Sequence, residues 1–148
     1  MKCITLAILA IFCCFNVHAQ ILKPVKWTYA AKRTSNSEAI IYLKATIEDG
    51  WHIYSQFVDK GGPTRTSFNF VPSKNYKLIG TTLEPKPIIT FEPNFNMNVG
   101  YFEKSVIFQQ NIKLKTKTTQ VKGSVEFMVC DDVQCLVAET VNFLINVK

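Results

Sequence analysis

Hydrophobic and polar residues alternate with a period of two along much of the chain. Ala39, Ile41, Leu43, Ala45 and Ile47 alternate with Ile40, Tyr42, Lys44, Thr46 and Glu48. Val121, Gly123, Val125, Phe127 and Val129 form a second row, and Val137, Glu139, Val141, Phe143, Ile145 and Val147 a third. Such a period places successive side chains on opposite faces of half-buried strands. Shorter strands are predicted over 25–31, 51–56, 67–71, 76–80, 88–91 and 101–114. Turn residues fall between the runs: Glu48-Asp49-Gly50, Gly61-Gly62-Pro63, Pro72-Ser73, Pro85-Lys86-Pro87 and Pro93-Asn94. No window carries a capped helical stripe. Eight or nine short strands at this spacing predict an all-β fold, an immunoglobulin-like antiparallel β-sandwich, with a closed barrel as the competing architecture.

The N-terminus departs from this pattern. Met1-Lys2, an apolar run over 4–15 and the exit Val17-His18-Ala19 have the form of a secretory signal peptide. The run is shorter than the roughly 20 apolar residues of a membrane span. Cleavage is expected after Ala19. Lipid attachment at Cys13 or Cys14 is disfavoured, because a lipoprotein site wants a small residue before the cysteine and Phe12 precedes Cys13. The expectation is a leader over 1–19 and one exported, soluble domain over 20–148, secreted to the periplasm and without a membrane span. That length is sufficient for a single core. The net charge of the chain is +6. Lys113, Lys115 and Lys117 alternate with Ile112, Leu114 and Thr116, as on a solvated strand face or a protected sheet edge. No nucleic-acid partner is implied.

Five cysteines are present, and Cys3, Cys13 and Cys14 leave with the leader. The remaining pair lies in Val129-Cys130-Asp131-Asp132-Val133-Gln134-Cys135-Leu136. In an oxidising compartment two nearby thiols pair. If Cys130 ends one strand and Cys135 opens the next, the four residues between them form a hairpin loop, and the cysteines face each other at bonding range. Such a bond closes a short loop and restrains the unfolded chain by only about 2 kcal/mol. It suits exchange better than strength, although a structural staple remains open. Asp131 and Asp132 oppose a neighbouring thiolate, and no Lys or Arg lies between the cysteines. The pair therefore reads as a disulfide that is attacked, or as a dithiol activated inside a docked complex.

With this loop, the strand Asp49-Gly50-Trp51-His52-Ile53-Tyr54 and the Phe95 segment, the chain resembles the N-terminal periplasmic domain of DsbD, the transmembrane thiol:disulfide interchange protein, over 26–147. The resemblance implies an immunoglobulin-like domain whose Cys130 and Cys135 take electrons from a thioredoxin-like donor and reduce exported, disulfide-bearing client proteins. Those clients would include disulfide isomerases and thiol proteins of cytochrome c maturation. It implies that Cys135 forms the mixed disulfide. It makes the segment Glu92-Pro93-Asn94-Phe95-Asn96-Met97-Asn98 a cap, with Phe95 shielding the sulfurs between Asn94 and Asn96. It places His52 and Tyr54 at positions that are aromatic in the family. Pro93 and Asn94 stand where the family carries acidic residues, and Leu136-Val137-Ala138 where prolines are common. A stand-alone domain of this kind takes its electrons from another polypeptide.

Other chemistries are less well supplied. Cys130, Cys135 and His52 fall one short of a zinc ligand set, and a Cu(I) site would need Met128 or Met97 besides both thiols. Met128 is expected on the face opposite Val129, as packing. A Cys–His hydrolase would rest on His52 alone, and Gly61-Gly62-Pro63 lacks the lysine and helix of a phosphate loop. No cofactor or metal is implied. Relay, binding module with a fixed structural disulfide, and metal carrier remain distinct readings of the same two sulfurs.

Overall fold

The computed structural model describes residues 22–148, so the predicted leader over 1–19 lies outside the described residues. The alternating rows become strands of three antiparallel sheets that enclose a shared core. The first sheet has the order β1-β2-β8-β5, with β1 Val25–Arg33, β2 Glu38–Ile47, β8 Ser105–Leu114 and β5 Tyr76–Leu83. The second is β11-β9-β4, with β11 Glu139–Val147, β9 Thr119–Phe127 and β4 Ser67–Phe70. The third is β10-β3-β7-β6, with β10 Val129–Cys130, β3 His52–Tyr54, β7 Met97–Glu103 and β6 Ile88–Glu92. All three have open edges, so the architecture is an immunoglobulin-like sandwich and not a closed barrel. Among the described residues no helix is long and apolar enough to cross a membrane.

The core follows from the alternation. Ile41 and Leu43 of β2, Phe108 and Ile112 of β8, and Val121 and Val125 of β9 are all fully buried. Trp27 reaches across from β1, its ring 5.5 Å from Phe127 and 6.0 Å from both Phe68 and Phe108. Five polar side chains are buried among the described residues, Gln110 the largest of them. Gln110 fills the register break between Ile79 and Leu83, donating to the Ile79 carbonyl at 3.1 Å and accepting from Thr82 Oγ1 at 2.9 Å. Its amide thus satisfies groups that the interrupted ladder leaves unpaired.

Three sequence expectations do not hold. The run 101–114 is not one strand, because Lys104, with a left-handed φ of 59°, divides β7 from β8 and sends them into different sheets. Its carbonyl accepts the Ile47 N–H at 2.8 Å, which fixes the crossing. Likewise the row from Val121 to Cys130 is broken at Met128: β9 belongs to the second sheet and β10 to the third. Nor does Cys135 open the last strand. It makes an isolated bridge to Cys130, Val137 is exposed, and β11 begins at Glu139. These changes of sheet carry the cysteines away from the sandwich interior onto the outer face of the small third sheet.

Candidate functional site

The third sheet has two faces. Ile53, Phe102 and Val129 point into the main core, while Tyr54, Val99 and Cys130 are buried in a satellite cluster with Met97, Tyr101 and Met128 packed against them. Met128 thus lies on the face opposite Val129, beside Cys130. In the ladder β10 pairs with β3, and β3 with β7, so that Cys130 faces His52 and His52 faces Glu103. Because Cys130 also bridges to Cys135, one row of side chains crosses the sheet: Cys135, Cys130, His52, Glu103. The next row along the same face holds Tyr54 opposite Tyr101.

The two cysteines form a disulfide with Cα atoms 4.0 Å apart. The loop between them is organised by Asp131. Its Oδ1 accepts the backbone N–H groups of Val133 at 2.8 Å and Gln134 at 2.7 Å, and its own N–H donates to the Gln134 carbonyl at 2.9 Å. These contacts, the Gln134 N–H foremost, hold the Asp131 carboxyl below its usual range. Its main local role is therefore loop construction, which its sequence position beside a thiol did not reveal. The two sulfurs differ in access: Cys130 is 1% exposed, whereas Cys135 is exposed at the loop's end.

Both cysteines line a cleft of about 620 Å³ whose walls include His52, Tyr54, Asp132 and Phe95. Phe95, half-buried, arrives on the turn between β6 and β7, where its N–H donates to the Glu92 carbonyl at 3.2 Å. Asn94 lines the cleft and donates from Nδ2 to Glu92 Oε1 at 3.2 Å. Asn96 is outside the cleft lining. It is exposed, with a φ of 51° that suits asparagine at the end of a turn. The cleft also contains Glu92, Glu103 and Tyr101, which the sequence reading did not single out. Glu92 enters the sequence reading only as the first residue of the cap segment, and Tyr101 and Glu103 only as the start of the run 101–114, which does not specify which strand they face.

His52 stands between two aromatic rings, with centroids 5.2 Å from Tyr54 and 5.0 Å from Tyr101, and its Nε2 is hydrogen-bonded to Tyr54 Oη at 3.3 Å. Burial pulls its pKa below the usual histidine value, partly opposed by the charges of Glu92, Asp132, Glu103 and Asp131. Burial, with Glu92 adding to it, pushes the Tyr54 hydroxyl up to about 12, so it stays protonated at working pH. The strand's exit is clamped as well: Glu84 accepts from Ser55 Oγ and from the Gln56 N–H at 2.9 Å. Among the described residues no group of three or more His, Cys, Asp or Glu side chains is placed to hold a metal ion.

Residues 18–146 match the family model described as thiol:disulfide interchange protein DsbD, N-terminal. Among solved structures, the chain is similar to the N-terminal periplasmic domain of ScsB from Proteus mirabilis, with a TM-score of 0.59 and 16% identity over 86% of this chain and 49% of that one. It spans about half the length of that chain. It is also similar to the DsbD N-terminal domain of Neisseria meningitidis in the reduced form, with a TM-score of 0.51 and 12% identity over 78% and 82% of the two chains. A third similar structure is the complex of the N-terminal domains of DsbD and PilB from the same organism, with a TM-score of 0.55 and 12% identity over 84% and 87%. At such identities the structural likeness bears on fold alone. No curated protein matches the chain.

Proposed function

The chain belongs to the DsbD N-terminal family, and from that premise we propose that it relays electrons through Cys130–Cys135 between a thioredoxin-like donor and exported client proteins. The observation that carries this reading is the unequal access of the two sulfurs: Cys135 exposed, Cys130 buried, both at one open cleft. A donor thiolate attacks Cys135 Sγ, the bond to Cys130 breaks, and Cys130 leaves with the electron pair. The donor's second thiol resolves the mixed disulfide and leaves a reduced pair. With a client disulfide the same steps run in reverse, Cys135 attacking and Cys130 resolving.

The rest of the cleft serves this exchange. Phe95 acts as a lid that a docking partner displaces, shielding the sulfurs from small oxidants and thiols. Tyr54 and His52 support the buried sulfur from the facing strand, Asp131 sets the loop, and Asp132 adds negative charge at the rim. Asn94 and Asn96 shape the turn that presents Phe95. The Neisseria DsbD domain forms a complex with the N-terminal domain of PilB, which supports the docking of a second protein domain here. The periplasmic placement of the ScsB domain supports export to the periplasm, where loss of 1–19 would leave residues 20–148.

The test is the reduction potential of the Cys130–Cys135 bond, together with cycling by a thioredoxin. A relay requires a potential in the range of exchange proteins, and Cys135→Ser must abolish mixed-disulfide formation with the thioredoxin. A potential below about −300 mV would instead make the bond a staple.

A further inference from the structure

Cys130, His52 and Glu103 face one another in sequence across three antiparallel strands. Directly opposed residues of such a ladder project from the same face with Cα atoms about 4.5–5.5 Å apart. A thiol, an imidazole and a carboxylate in that succession are the parts of an activated nucleophile: a group to be deprotonated, a base, and a partner for the base. We propose that His52 is the proton-transfer partner of Cys130, taking the thiol proton when Cys130 resolves a mixed disulfide and returning it when the bond is reduced. The idea rests on the relay reading above and adds the proton path to it.

The need for such a path comes from burial. Cys130 is buried against Tyr54, Val58 and Val99 at the floor of the cleft, with Met97, Tyr101 and Met128 around them. A buried thiol resists ionisation, yet resolution requires its thiolate. His52 Nε2 and Tyr54 Oη are 3.3 Å apart, and in the tautomer the proposal requires, with the proton on Nε2, Nδ1 keeps a lone pair for the thiol proton. The groups around His52 are Cys130, Asp131 and Asp132 from β10 and its loop, and Tyr54 from its own strand. Tyr101 and Glu103 of β7 and Glu92 at the cap turn complete the set. The carboxylates favour the imidazolium once it forms, while burial keeps the resting ring neutral.

Cys135 thiolate attacks a disulfide, which releases one sulfur as thiolate and leaves a mixed disulfide on Cys135. The Cys130 thiol then passes its proton to His52. Its thiolate displaces the second sulfur from Cys135 Sγ, forming the Cys130–Cys135 bond. Two electrons leave the pair for the attacked disulfide, and the imidazolium gives its proton to the departing thiolate or to water.

The experiment mixes the reduced protein with the chromogenic disulfide 5,5′-dithiobis(2-nitrobenzoate) across pH 5–9. The first release of chromophore reports attack by Cys135 and depends on probe concentration. The second reports resolution by Cys130 and does not. A free thiol is only a few per cent ionised at pH 7, so His52→Gln should slow the second phase about tenfold at that pH and leave the first nearly unchanged. The wild-type second phase should level off above an inflection below pH 6.5, whereas that of the variant should climb steadily with pH. His52→Phe, which keeps a ring between Tyr54 and Tyr101, should behave like His52→Gln. Equal second-phase rates and pH profiles in wild type and His52→Gln would overturn the proposal, as would a defect confined to His52→Gln or one that slows both phases alike. Absence of any second phase in the wild type would overturn the relay reading itself, and this inference with it.

Discussion

Phe95 and His52 border the same cleft, and their replacement separates shielding from proton chemistry. Removing the Phe95 ring should open the sulfurs to small reagents: Phe95→Ala is expected to accelerate reduction of the disulfide by dithiothreitol several-fold. The cost in unfolding free energy should be about 1 kcal/mol or less, since the ring is only half-buried. Unchanged rates would mean that the ring packs without covering the sulfurs. His52 supplies a prediction about pH and stability. Its folded pKa lies below the unfolded value of about 6.5, so the unfolded chain binds the extra proton more readily. The stability contributed by the neutral ring is therefore fully present above about pH 6.5 and is lost as pH falls through the lower, folded value. Urea midpoints should decline on acidification from about pH 6.5, and His52→Phe should flatten that part of the curve. The disulfide was readable from sequence because its partners share one loop. The facing of His52 with Cys130 and Glu103 was not, because register between strands far apart in the chain leaves no local signature.

At the scale of elements, the most legible strands are those long enough to show a period, although β1, β3, β4, β5 and β6 also fall where shorter strands are expected, over 25–31, 51–56, 67–71, 76–80 and 88–91. β2, β9 and β11 each supply several alternating core residues. β3 and β10 have three and two residues, too few to show any period, and yet they hold the site. The break at Lys104 was hidden because β7 and β8 read together as one continuous alternating run, and a lysine gives no warning of a left-handed backbone. Gly123 was legible as a strand position but not as a close contact. A Cβ added there would lie 2.3 Å from the Asn69 carbonyl oxygen and 2.5 Å from Phe143 Cζ. Gly123→Ala should therefore force β4 and β11 away from β9 and lower unfolding free energy by about 2 kcal/mol, measured by urea denaturation. A neutral result would mean that the sheet gives way at that point at little cost.

For the whole molecule, the sandwich is predicted to stand without its disulfide. The bond spans five positions, while the main core joins strands of all three sheets. Replacing both Cys130 and Cys135 by serine should lower stability by about 2 kcal/mol and leave the far-ultraviolet circular dichroism of the β fold unchanged. Loss of the fold would show that the bond holds the third sheet in place. The cleft's location was legible only through the family resemblance, since it depends on the two sheet changes at Lys104 and Met128.

Closure of the cysteine loop upon itself has a consequence for any protein that docks there. The bond spans five positions and joins a bridged pair, so its opening is expected to release no distant strand and to leave the outline offered to visitors nearly the same. A donor and a recipient of the proposed relay could therefore not sort the charged and discharged forms by contour. In the proposed relay, discrimination between them has to arise within the cleft, from whether two sulfurs are joined or carry hydrogen and from how readily the proposed Phe95 lid yields.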